Sequence, residues 1–383
     1  MKQLIPNKVI VIGNSHHNSL GIIRSLGEFG CRVFHIVLSN KEGFTTKSRY
    51  IKKFWCSNDE KKVIEILINE FGDDKEKPII IAAGDRSASI IDRNINLLSN
   101  YFIFSSVKNT ECGIINMMEK SKMNMLAEEH GFLVPKSFNF KFSETPIEQA
   151  IATIPIEYPC IVKPLQSIDG SKRDISVCED ANILVAVLKM LNNQYNEVLI
   201  QEFIEKEGEL GIQGFSTYGG KNVIVPGIIV KIRQSRVAHG SATYAKLAKN
   251  HSLVELPKIE ALIKDLGYTG IFDIDLIYKG NRVYFIEMNF RNGAYGYAFT
   301  KAGVNIPALW CLNIIGHDIF GVPLVIDNEL TLMDEIADFR NVIDKRIGLL
   351  KWIMQFLSTD VHLLFNKRDL KPFIYRFIEL YSR

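Results

Sequence analysis

The feature that most constrains the fold is a pair of strongly apolar segments, residues 270–278 and 283–290, joined by a short turn at residues 279–281. The turn contains a glycine, and a glycine-containing turn between two apolar runs is typical of a β-hairpin. This is the most apolar hairpin pattern in the chain. It predicts two antiparallel strands that are largely buried inside a sheet.

Polar side chains interrupt this hairpin at Asp275 on the first strand and at Glu287 and Asn289 on the second. Side chains of a strand alternate between its faces, so Glu287, Asn289 and Arg291 share one face, which Asp275 can join. Carboxylate and amide oxygens suit Mg²⁺ that is also held by phosphates. A solvated acidic edge is the alternative, but it does not explain acids within so apolar a hairpin.

The first 90 residues alternate between strand and helix patterns. Apolar strands are predicted at residues 8–12, 32–38 and 78–83, and a helix at residues 19–29 that ends at Gly30. Strands that alternate with helices indicate a parallel, Rossmann-like unit. Because the loop after the first strand lacks the glycine spacing of a dinucleotide site, we expect a Rossmann-like scaffold without a dinucleotide.

Three further helices are predicted at residues 110–130, 180–193 and 253–266. Strand-like alternation fills residues 211–288 around the last of them. The middle of the chain is therefore predicted to be rich in strands.

Candidate nucleotide contacts lie at strand ends. Lys163 closes an apolar strand and directs a cation out of its end, although a solvated lysine is the alternative. Residues 198–204 run from a strand into an extended segment, whose backbone groups can read an adenine edge. Glu209 can accept hydrogen bonds from both ribose hydroxyls, with an ordinary surface carboxylate as the alternative.

A basic segment follows at residues 231–241, which we predict to be a mobile loop. It contains Lys231, Arg233 and Arg236. We predict that Lys231 contributes to nucleotide binding and that Arg233 takes part in catalysis with Arg291, because a guanidinium can hold a carboxylate or an acyl phosphate. Solvated side chains are the alternative for one or two members of the segment.

The order of these segments resembles the ATP-grasp superfamily over roughly residues 5–325, most specifically in Phe285-Ile-Glu-Met-Asn-Phe-Arg291. The resemblance implies that Lys120 and Lys163 contact the ATP phosphates, and that Lys163 is also catalytic because it stabilises charge in the reaction together with Lys120 and Arg291. It implies nucleotide contacts along the adenine and ribose at Gln201, Glu202, Phe203, Ile204 and Glu209. It implies Mg²⁺ ligation by Asp275, Glu287 and Asn289.

Within the superfamily, residues 19–27, 47–50, 84–86 and 302–307 resemble predicted carboligases or carboxylate–amine ligases related to D-aspartate ligase. The loop at residues 165–173 departs from the superfamily, because it has one glycine where the phosphate-covering loop is often rich in glycine.

The resemblance implies an α/β (α+β) fold with four parts. We expect an N-terminal Rossmann-like pre-ATP-grasp domain at residues 1–112 and an ATP-grasp small lobe with its lysine-bearing helix at residues 113–204. A large lobe with the Mg²⁺-binding hairpin is expected at residues 205–330, and a C-terminal helical, basic extension at residues 331–383.

The implied activity is that of an ATP-dependent carboxylate–amine ligase. A carboxylate would attack the γ-phosphorus, giving an acyl phosphate and ADP, and an amine would then displace phosphate. The expected cofactors are ATP and Mg²⁺, with Mn²⁺ as an alternative. A kinase-type phosphotransferase and a non-catalytic nucleotide-binding module are the alternative functions. Amino acids, peptides and uronic acids all remain open as the acid, and a homodimer remains open as the assembly.

The net charge of +3 is too small to indicate nucleic acid binding. The six cysteines form no CxxC pair, so the sequence predicts neither a zinc site nor a disulfide framework. No signal peptide pattern and no membrane-spanning apolar run are apparent, which predicts a cytoplasmic protein.

Residues 345–383 differ from the rest, with eight Lys or Arg against three acids, a net charge of +5. Aromatic residues are interleaved with these charges. We predict either peripheral contact with an anionic membrane at the inner face, suiting a lipid-linked cell-wall or surface-polysaccharide precursor, or helices packed on the catalytic lobe or a partner subunit.

Overall fold

The computed structural model describes residues 5–143, 146–151, 154–165, 174–235, 241–319 and 321–381. Its N-terminal part is a four-stranded parallel sheet of order β3-β2-β1-β4. The strands are β1 (Lys8–Gly13), β2 (Arg32–Val37), β3 (Ile51–Cys56) and β4 (Ile79–Ala82). The predicted Rossmann-like unit is confirmed, and β3 is a strand that the sequence patterns missed.

Helices cover this sheet. They are α1 (His17–Phe29), a 3-10 helix (Phe44–Lys47), α2 (Glu60–Phe71), α3 (Asp85–Arg93) and α4 (Ile95–Leu98). Helix α1 ends as predicted at Gly30, whose φ of 98° is left-handed. Glycine adopts this conformation at little cost because it has no Cβ atom.

The connection to the next unit holds β5 (Ser106–Val107) and two short helices, α5 (Gly113–Met117) and α6 (Lys120–Glu129). The prediction of one long helix over residues 110–130 is therefore wrong. Glu119 is extended, with φ −70° and ψ 117°, and the Lys120 amide donates to the Leu165 carbonyl at 3.2 Å instead of continuing a helix from α5. This break makes Lys120 the first residue of α6.

The small lobe is an antiparallel sheet of order β6-β9-β7-β8 with its own apolar core, which includes Phe140, Val162 and Leu188. Its elements are β6 (Ser137–Lys141), α7 (Ile147–Ala150), β7 (Cys160–Pro164), β8 (Ser176–Cys178), α8 (Ala181–Leu191) and β9 (Glu197–Glu202).

The large lobe is built on a long sheet of order β15-β14-β10-β12-β13-β16-β17, with β11 paired to β10 and β5 paired to β14. Its elements up to residue 314 are β10 (Gly208–Thr217), β11 (Asn222–Ile224), β12 (Ile228–Gln234), β13 (Ala242–Ala248), α9 (Leu256–Leu266), β14 (Tyr268–Lys279), β15 (Arg282–Asn289), α10 (Gly296–Lys301) and α11 (Ile306–Ile314). Strands β14 and β15 are the predicted hairpin, and they pair antiparallel.

The C-terminal segment is not only helical. It comprises β16 (Leu330–Met333), α12 (Glu335–Ile343), α13 (Leu349–Ser358), β17 (Val361–His362) and α14 (Lys371–Tyr381). Strand β16 pairs with β13, and β17 pairs with β16, so this segment widens the large-lobe sheet. It also returns to the N-terminal unit, where the fully buried Arg24 guanidinium meets the Asp369 carboxylate at 3.0 Å.

Two apolar cores join the N-terminal unit to the large lobe. One contains Ile10 with Phe272 and Phe285, and the other contains Val11 with Phe215 and Trp310. Within the described residues, no helix is long and apolar enough to cross a bilayer.

Candidate active site

The polar residues of the hairpin lie opposite one another as the sequence predicts. Asp275 on β14 is in register with Glu287 on β15, and Asp273 is in register with Asn289. The pairing register shifts just after Asp275, between this residue and Leu276. Side chains two residues apart share a face, so two rows of oxygen donors stand side by side on the same face of the sheet.

Lys231 on β12 reaches across to these acids. Its Nζ lies 2.6 Å from Asp275 Oδ1 and 3.1 Å from Glu209 Oε2. Gly211 lies on β10 between the two strands and has no side chain to block that reach. Burial would lower the pKa of Lys231, but Asp275 and Glu209 outweigh it and raise the pKa well above its usual value. Lys231 therefore keeps its charge.

The Glu209 carboxylate also bonds Lys206 and the Gln234 side chain. Burial would raise the pKa of Glu209, but the charges of Lys231 and Lys206 lower it. The predicted ribose acid is thus ionised and already engaged by protein donors.

Arg291 follows β15 and joins two units of the molecule. Its Nη1 lies 3.0 Å from Asp273 Oδ2, and its Nε lies 3.2 Å from Asp85 Oδ1, at the start of α3 in the N-terminal unit. Burial and the charge of Asp275 raise the pKa of Asp273 to about 6, although Arg291 opposes the shift. Burial would lower the pKa of Arg291, but Asp85 and Asp273 raise it.

Two lysines lie near this sheet, one at the end of β7 and one at the start of α6. Lys163 at the end of β7 is 7% exposed, and burial together with the positive charge of Lys120 lowers its pKa to about 8, while Glu287 opposes the shift. Burial also lowers the pKa of Lys120, against Glu287 and Asp85. Glu287 therefore lies within electrostatic reach of both lysines, where a phosphate group would relieve their repulsion.

The predicted adenine segment leaves the small lobe at the end of β9. Gln201 is buried, whereas Glu202, Phe203 and Ile204 are half-buried. The Glu202 backbone amide donates to the Lys136 carbonyl at 2.8 Å, and the Lys136 amide donates to Glu202 Oε2 at 3.2 Å. These bonds fix the segment at the lobe boundary. Its adenine contacts stay a prediction.

Arg233 has a different environment from Lys231. Its Nε and Nη2 bond the two carboxylate oxygens of Asp338 on α12 at 2.8 and 2.6 Å, and its Nη1 bonds Gln355 on α13 at 3.0 Å. The Tyr244 ring lies 5.0 Å away. This bidentate pair is a structural link to the C-terminal segment, and the catalytic role of Arg233 stays a prediction.

The predicted mobile loop at residues 231–241 is wrong in its first part, because residues 231–234 belong to β12. Residues 236–240, which include Arg236, lie outside the described residues. Most of the loop at residues 165–173 also lies outside them.

The structure adds site residues that sequence reasoning missed. Asp273 could have been found, because it lies two residues before Asp275 and must share its face. Asp85 lies in residues 84–86, which carry part of the subgroup resemblance, but its contact with Arg291 had no local signal, and neither had Asp334, which bonds His17. They come from the N-terminal unit and the C-terminal segment, so only the tertiary fold brings them close.

The donor set fits Mg²⁺. The described residues hold no cluster of three His, Cys, Asp or Glu side chains that could bind a metal unaided. Asp275 and Glu287 would thus depend on Asn289 and on phosphate oxygens to complete the coordination, as is usual for Mg²⁺ at a nucleotide. The buried Asn289 Nδ2 has no hydrogen-bond partner among the described residues. As a donor it cannot bind a metal, but it could serve a phosphate oxygen, while Asn289 Oδ1 is the atom that would bind Mg²⁺.

Comparisons with known proteins agree with this geometry. A family description of the ATP-grasp domain matches residues 125–304. The formate-dependent phosphoribosylglycinamide formyltransferase of Wolinella succinogenes is 28% identical over 193 residues, which cover 49% of this chain and 47% of that relative. The chain thus spans about half the length of such relatives.

Solved structures share the fold over most of the chain. The L-amino acid ligase from Bacillus licheniformis has a TM-score of 0.63 at 16% identity and covers 85% of this chain and 79% of its own. The biotin carboxylase domain of the Hydrogenobacter thermophilus 2-oxoglutarate carboxylase, solved with MgADP and bicarbonate, has a TM-score of 0.64 at 16% identity, covering 85% and 73%. Residues 125–304 therefore match the ATP-grasp domain, and in the structure they are preceded by a Rossmann-like unit and followed by a C-terminal segment that joins the large-lobe sheet.

Proposed function

We propose that the protein is an ATP-dependent carboxylate–amine ligase that works through an acyl phosphate and releases ADP and phosphate. The observation that carries the proposal is the convergence of three groups at one cleft. Around Glu287 lie the carboxylate and amide oxygens of β14 and β15, the guanidinium of Arg291, and the two buried lysines, Lys120 and Lys163. Such a site binds a polyphosphate and stabilises transferred charge.

The residues divide the work as follows. Asp275, Glu287 and Asn289 would hold Mg²⁺, which neutralises phosphate charge during transfer. Lys120 and Lys163 bind the ATP phosphates. Positioning and charge carry the reaction, so no side-chain nucleophile is needed.

Arg291 is oriented by Asp85 and Asp273 toward the reacting carboxylate. It stabilises negative charge as the carboxylate oxygen attacks the γ-phosphorus and ADP leaves. An amine then attacks the acyl carbon and phosphate departs. The L-amino acid ligase among the structural relatives supports this substrate class, and we extend the proposal to cell-wall or surface-polysaccharide precursors in the cytoplasm.

Product analysis tests the proposal. Purified protein with Mg-ATP is incubated with pooled amino acids, short peptides or uronic acids, with and without hydroxylamine as a trap. ADP and a hydroxamate that appear with one acid pool are the expected result. AMP and pyrophosphate would mean adenylation and would contradict the mechanism.

The same assay separates the alternatives. A kinase-type phosphotransferase would form ADP but leave the phosphate on its product, with no phosphate release on adding an amine. A non-catalytic nucleotide-binding module would bind Mg-ATP without turnover in any pool. Mn²⁺ replaces Mg²⁺ in a parallel series to test the alternative metal.

We also propose that the C-terminal segment contacts an anionic membrane, because it carries an apolar face with no protein partner among the described residues. Helix α13 has no buried residue, and Leu350 and Leu357 are 78% and 77% exposed. Leu349, Met354 and the neighbouring Ile343 of α12 are also exposed. We call this set the C-terminal apolar face.

Aromatic rings next to the C-terminal apolar face form a continuous series of contacts. These run from Phe339 through Trp352 and Phe356 to His362, and on through Phe365 and Phe373 to Phe377, with ring centroids 4.5 to 6.1 Å apart. The series links α12, α13, β17 and α14. The apolar face is thus presented on a packed support.

The basic residues around the C-terminal apolar face favour an anionic membrane as its partner. Lys345, Arg346 and Lys351 are exposed around the face, and no acid lies between Asp344 and Asp360. Each basic residue near an anionic leaflet contributes about 1 kcal/mol to binding, in addition to apolar burial. We expect the face to lie in the headgroup region with α13 parallel to the surface.

Vesicle co-sedimentation tests this contact with point variants, since removing residues 345–383 would also remove Asp369, the buried partner of Arg24. Binding to phosphatidylglycerol vesicles, but not to phosphatidylcholine, is expected, with loss in Leu350→Asp/Leu357→Asp. Leu97→Asp, an exposed change in the N-terminal unit, is the control. No binding at low salt, or a homodimer that the double variant disrupts, would overturn the membrane contact.

A further inference from the structure

A histidine–carboxylate pair lies where the N-terminal unit meets the C-terminal segment. His17 Nδ1 is 3.2 Å from Asp334 Oδ2, and His17 is 9% exposed. Asp334 is itself fixed, because it caps α12 by accepting from the Ala337 amide at 3.1 Å and its own amide donates to the Thr243 carbonyl at 2.8 Å. The carboxylate therefore holds the imidazole in one orientation.

This contact sets the tautomer. Because a carboxylate accepts hydrogen bonds, the proton of a neutral His17 lies on Nδ1, and Nε2 keeps a free lone pair. Nε2 is buried and has no hydrogen-bond partner among the described residues. Buried polar atoms without partners are rare, and Nε2 can accept a hydrogen bond or a proton from a bound substrate. The neighbouring His16 ring is tilted against the His17 ring, with centroids 3.9 Å apart, and His16 Nδ1 accepts from the Asn18 amide, which caps the start of α1.

The start of α1, which carries His17, is hydrogen-bonded to the turn that follows Arg291. Asn18 Nδ2 donates to the Asn292 carbonyl at 2.7 Å, and Asn292 Nδ2 donates to Asn18 Oδ1 at 2.8 Å. Asn292 directly follows Arg291. These two bonds hold the start of α1 against the Arg291 turn, at the carboxyl edge of a parallel sheet where ligands of α/β folds bind.

A second connection runs through β13. The Tyr295 hydroxyl donates to the Ala242 carbonyl at 3.0 Å, next to Thr243, which holds Asp334. Tyr295 is buried, and the charges of Lys231, Asp275 and Asp334 all act on its hydroxyl. The histidine pair is thus adjacent to the metal-site acids, on the side formed by the N-terminal and C-terminal segments.

We propose that His17 is the base that accepts the proton of the attacking amine, that Asp334 positions it, and that the amine binds beside this pair. This rests on the proposed ligase function and adds the second substrate to it. The neutral amine donates its lone pair to the acyl carbon to form the C–N bond. The C–O bond to phosphate breaks with its electron pair, and the N–H proton passes to His17 Nε2. Asp334 stabilises the imidazolium that forms.

The kinetic test compares two nucleophiles in His17→Gln and Asp334→Asn. Hydroxylamine is unprotonated at neutral pH and needs little help from a base, whereas an amino acid amine does. We expect the ratio of amide to hydroxamate product to fall about 100-fold in His17→Gln, the usual size of a general-base effect. The amide pH–rate profile should change as well, because the ionisation of the substrate amine alone then sets its acidic limb. His317→Gln, an exposed histidine, should keep both.

Two outcomes overturn the proposal. If amide and hydroxamate fall equally in His17→Gln, the residue is structural. If neither ratio nor pH profile changes, it is not the base. A wild-type protein that forms no hydroxamate with any acid pool argues against the ligase function instead, and a measurement without turnover then decides on His17.

That measurement is ¹⁵N NMR of histidine-labelled protein, with His17 assigned by its loss in His17→Gln. We expect the neutral ring to carry its proton on Nδ1 and to have a free Nε2, a tautomer that Asp334→Asn weakens. His35 is the internal control, because its Nδ1 is 2.8 Å from the Val11 carbonyl and must also carry the proton, independently of Asp334. A His17 protonated on Nε2 would rule out its role as the base.

Discussion

Two lysines have opposite electrostatic surroundings, the buried Lys163 in the small lobe and the half-buried Lys231 in the large lobe. Burial and the charge of Lys120 lower the pKa of Lys163 to about 8. Burial acts on Lys231 too, but Asp275 and Glu209 raise its pKa well above the usual value. In the large lobe the charge of Lys231 is thus neutralised by neighbouring carboxylates. In the small lobe the charge of Lys163 is not neutralised by the protein and favours a bound anion. Such an imbalance is a mark of a binding site.

The largest effect is expected at Glu287, the carboxylate that acts on Lys120 and Lys163 alike. Glu287→Gln removes a proposed metal ligand and should lower ADP formation by about 1,000-fold, since charge neutralisation at the phosphates is lost. The circular dichroism spectrum should not change. Glu205→Gln, at an exposed acid, is the matched control. Near-normal ADP formation by Glu287→Gln would show that Lys120 and Lys163 do not form a phosphate site with Glu287.

Next comes the stability of the large-lobe cluster. Lys231→Met leaves Asp275 and Glu209 facing each other without a cation, and should lower the free energy of unfolding by about 2–3 kcal/mol after allowance for the partial exposure of Asp275. Urea unfolding measures this. Lys246→Met breaks an exposed pair with Glu329 and should change stability by less than about 1 kcal/mol. Equal losses of unfolding free energy in the two variants would mean that the Lys231 cluster stabilises the fold no more than an exposed ion pair does.

The small lobe should respond in the opposite sense. Lys163→Met should weaken Mg-ATP binding by about 30-fold, because a charge-assisted phosphate contact is lost. Stability at pH 7 should stay the same or rise, since a costly buried charge is removed. Calorimetric titration and urea unfolding check the two parts. A loss of stability as large as that of Lys231→Met would show that both lysines are structural.

The smallest effect is on pH dependence. Lys163 must be protonated to bind phosphate, so Mg-ATP affinity should fall as pH rises through about 8, by up to about tenfold per unit. The stability of the free protein should depend on pH in the opposite direction. The folded pKa lies below that of the unfolded chain, so stability should rise with pH from about 8 toward 10. Lys163→Met should lose both slopes, and an unchanged slope would contradict the pKa shift.

The sequence predicted the core of the site because strand geometry is local. The period of two along residues 285–291, with a glycine turn before it, was enough to bring Glu287 and Asn289 to one face and Asp275 opposite. The same rule contained Asp273, which was overlooked. Local pattern did not decide the break before Lys120, because that break depends on a hydrogen bond to Leu165, 45 residues further along the chain.

By itself the sequence determined the Rossmann-like unit, the hairpin and the order of the ATP-grasp segments, since each depends on spacing within a few dozen residues. Only the tertiary structure decided what meets them. Asp85 reaches Arg291, Asp338 binds Arg233, and Asp334 holds His17 across more than a hundred residues of chain in each case. Such pairs depend on how whole sheets and segments pack, and no local periodicity records that packing.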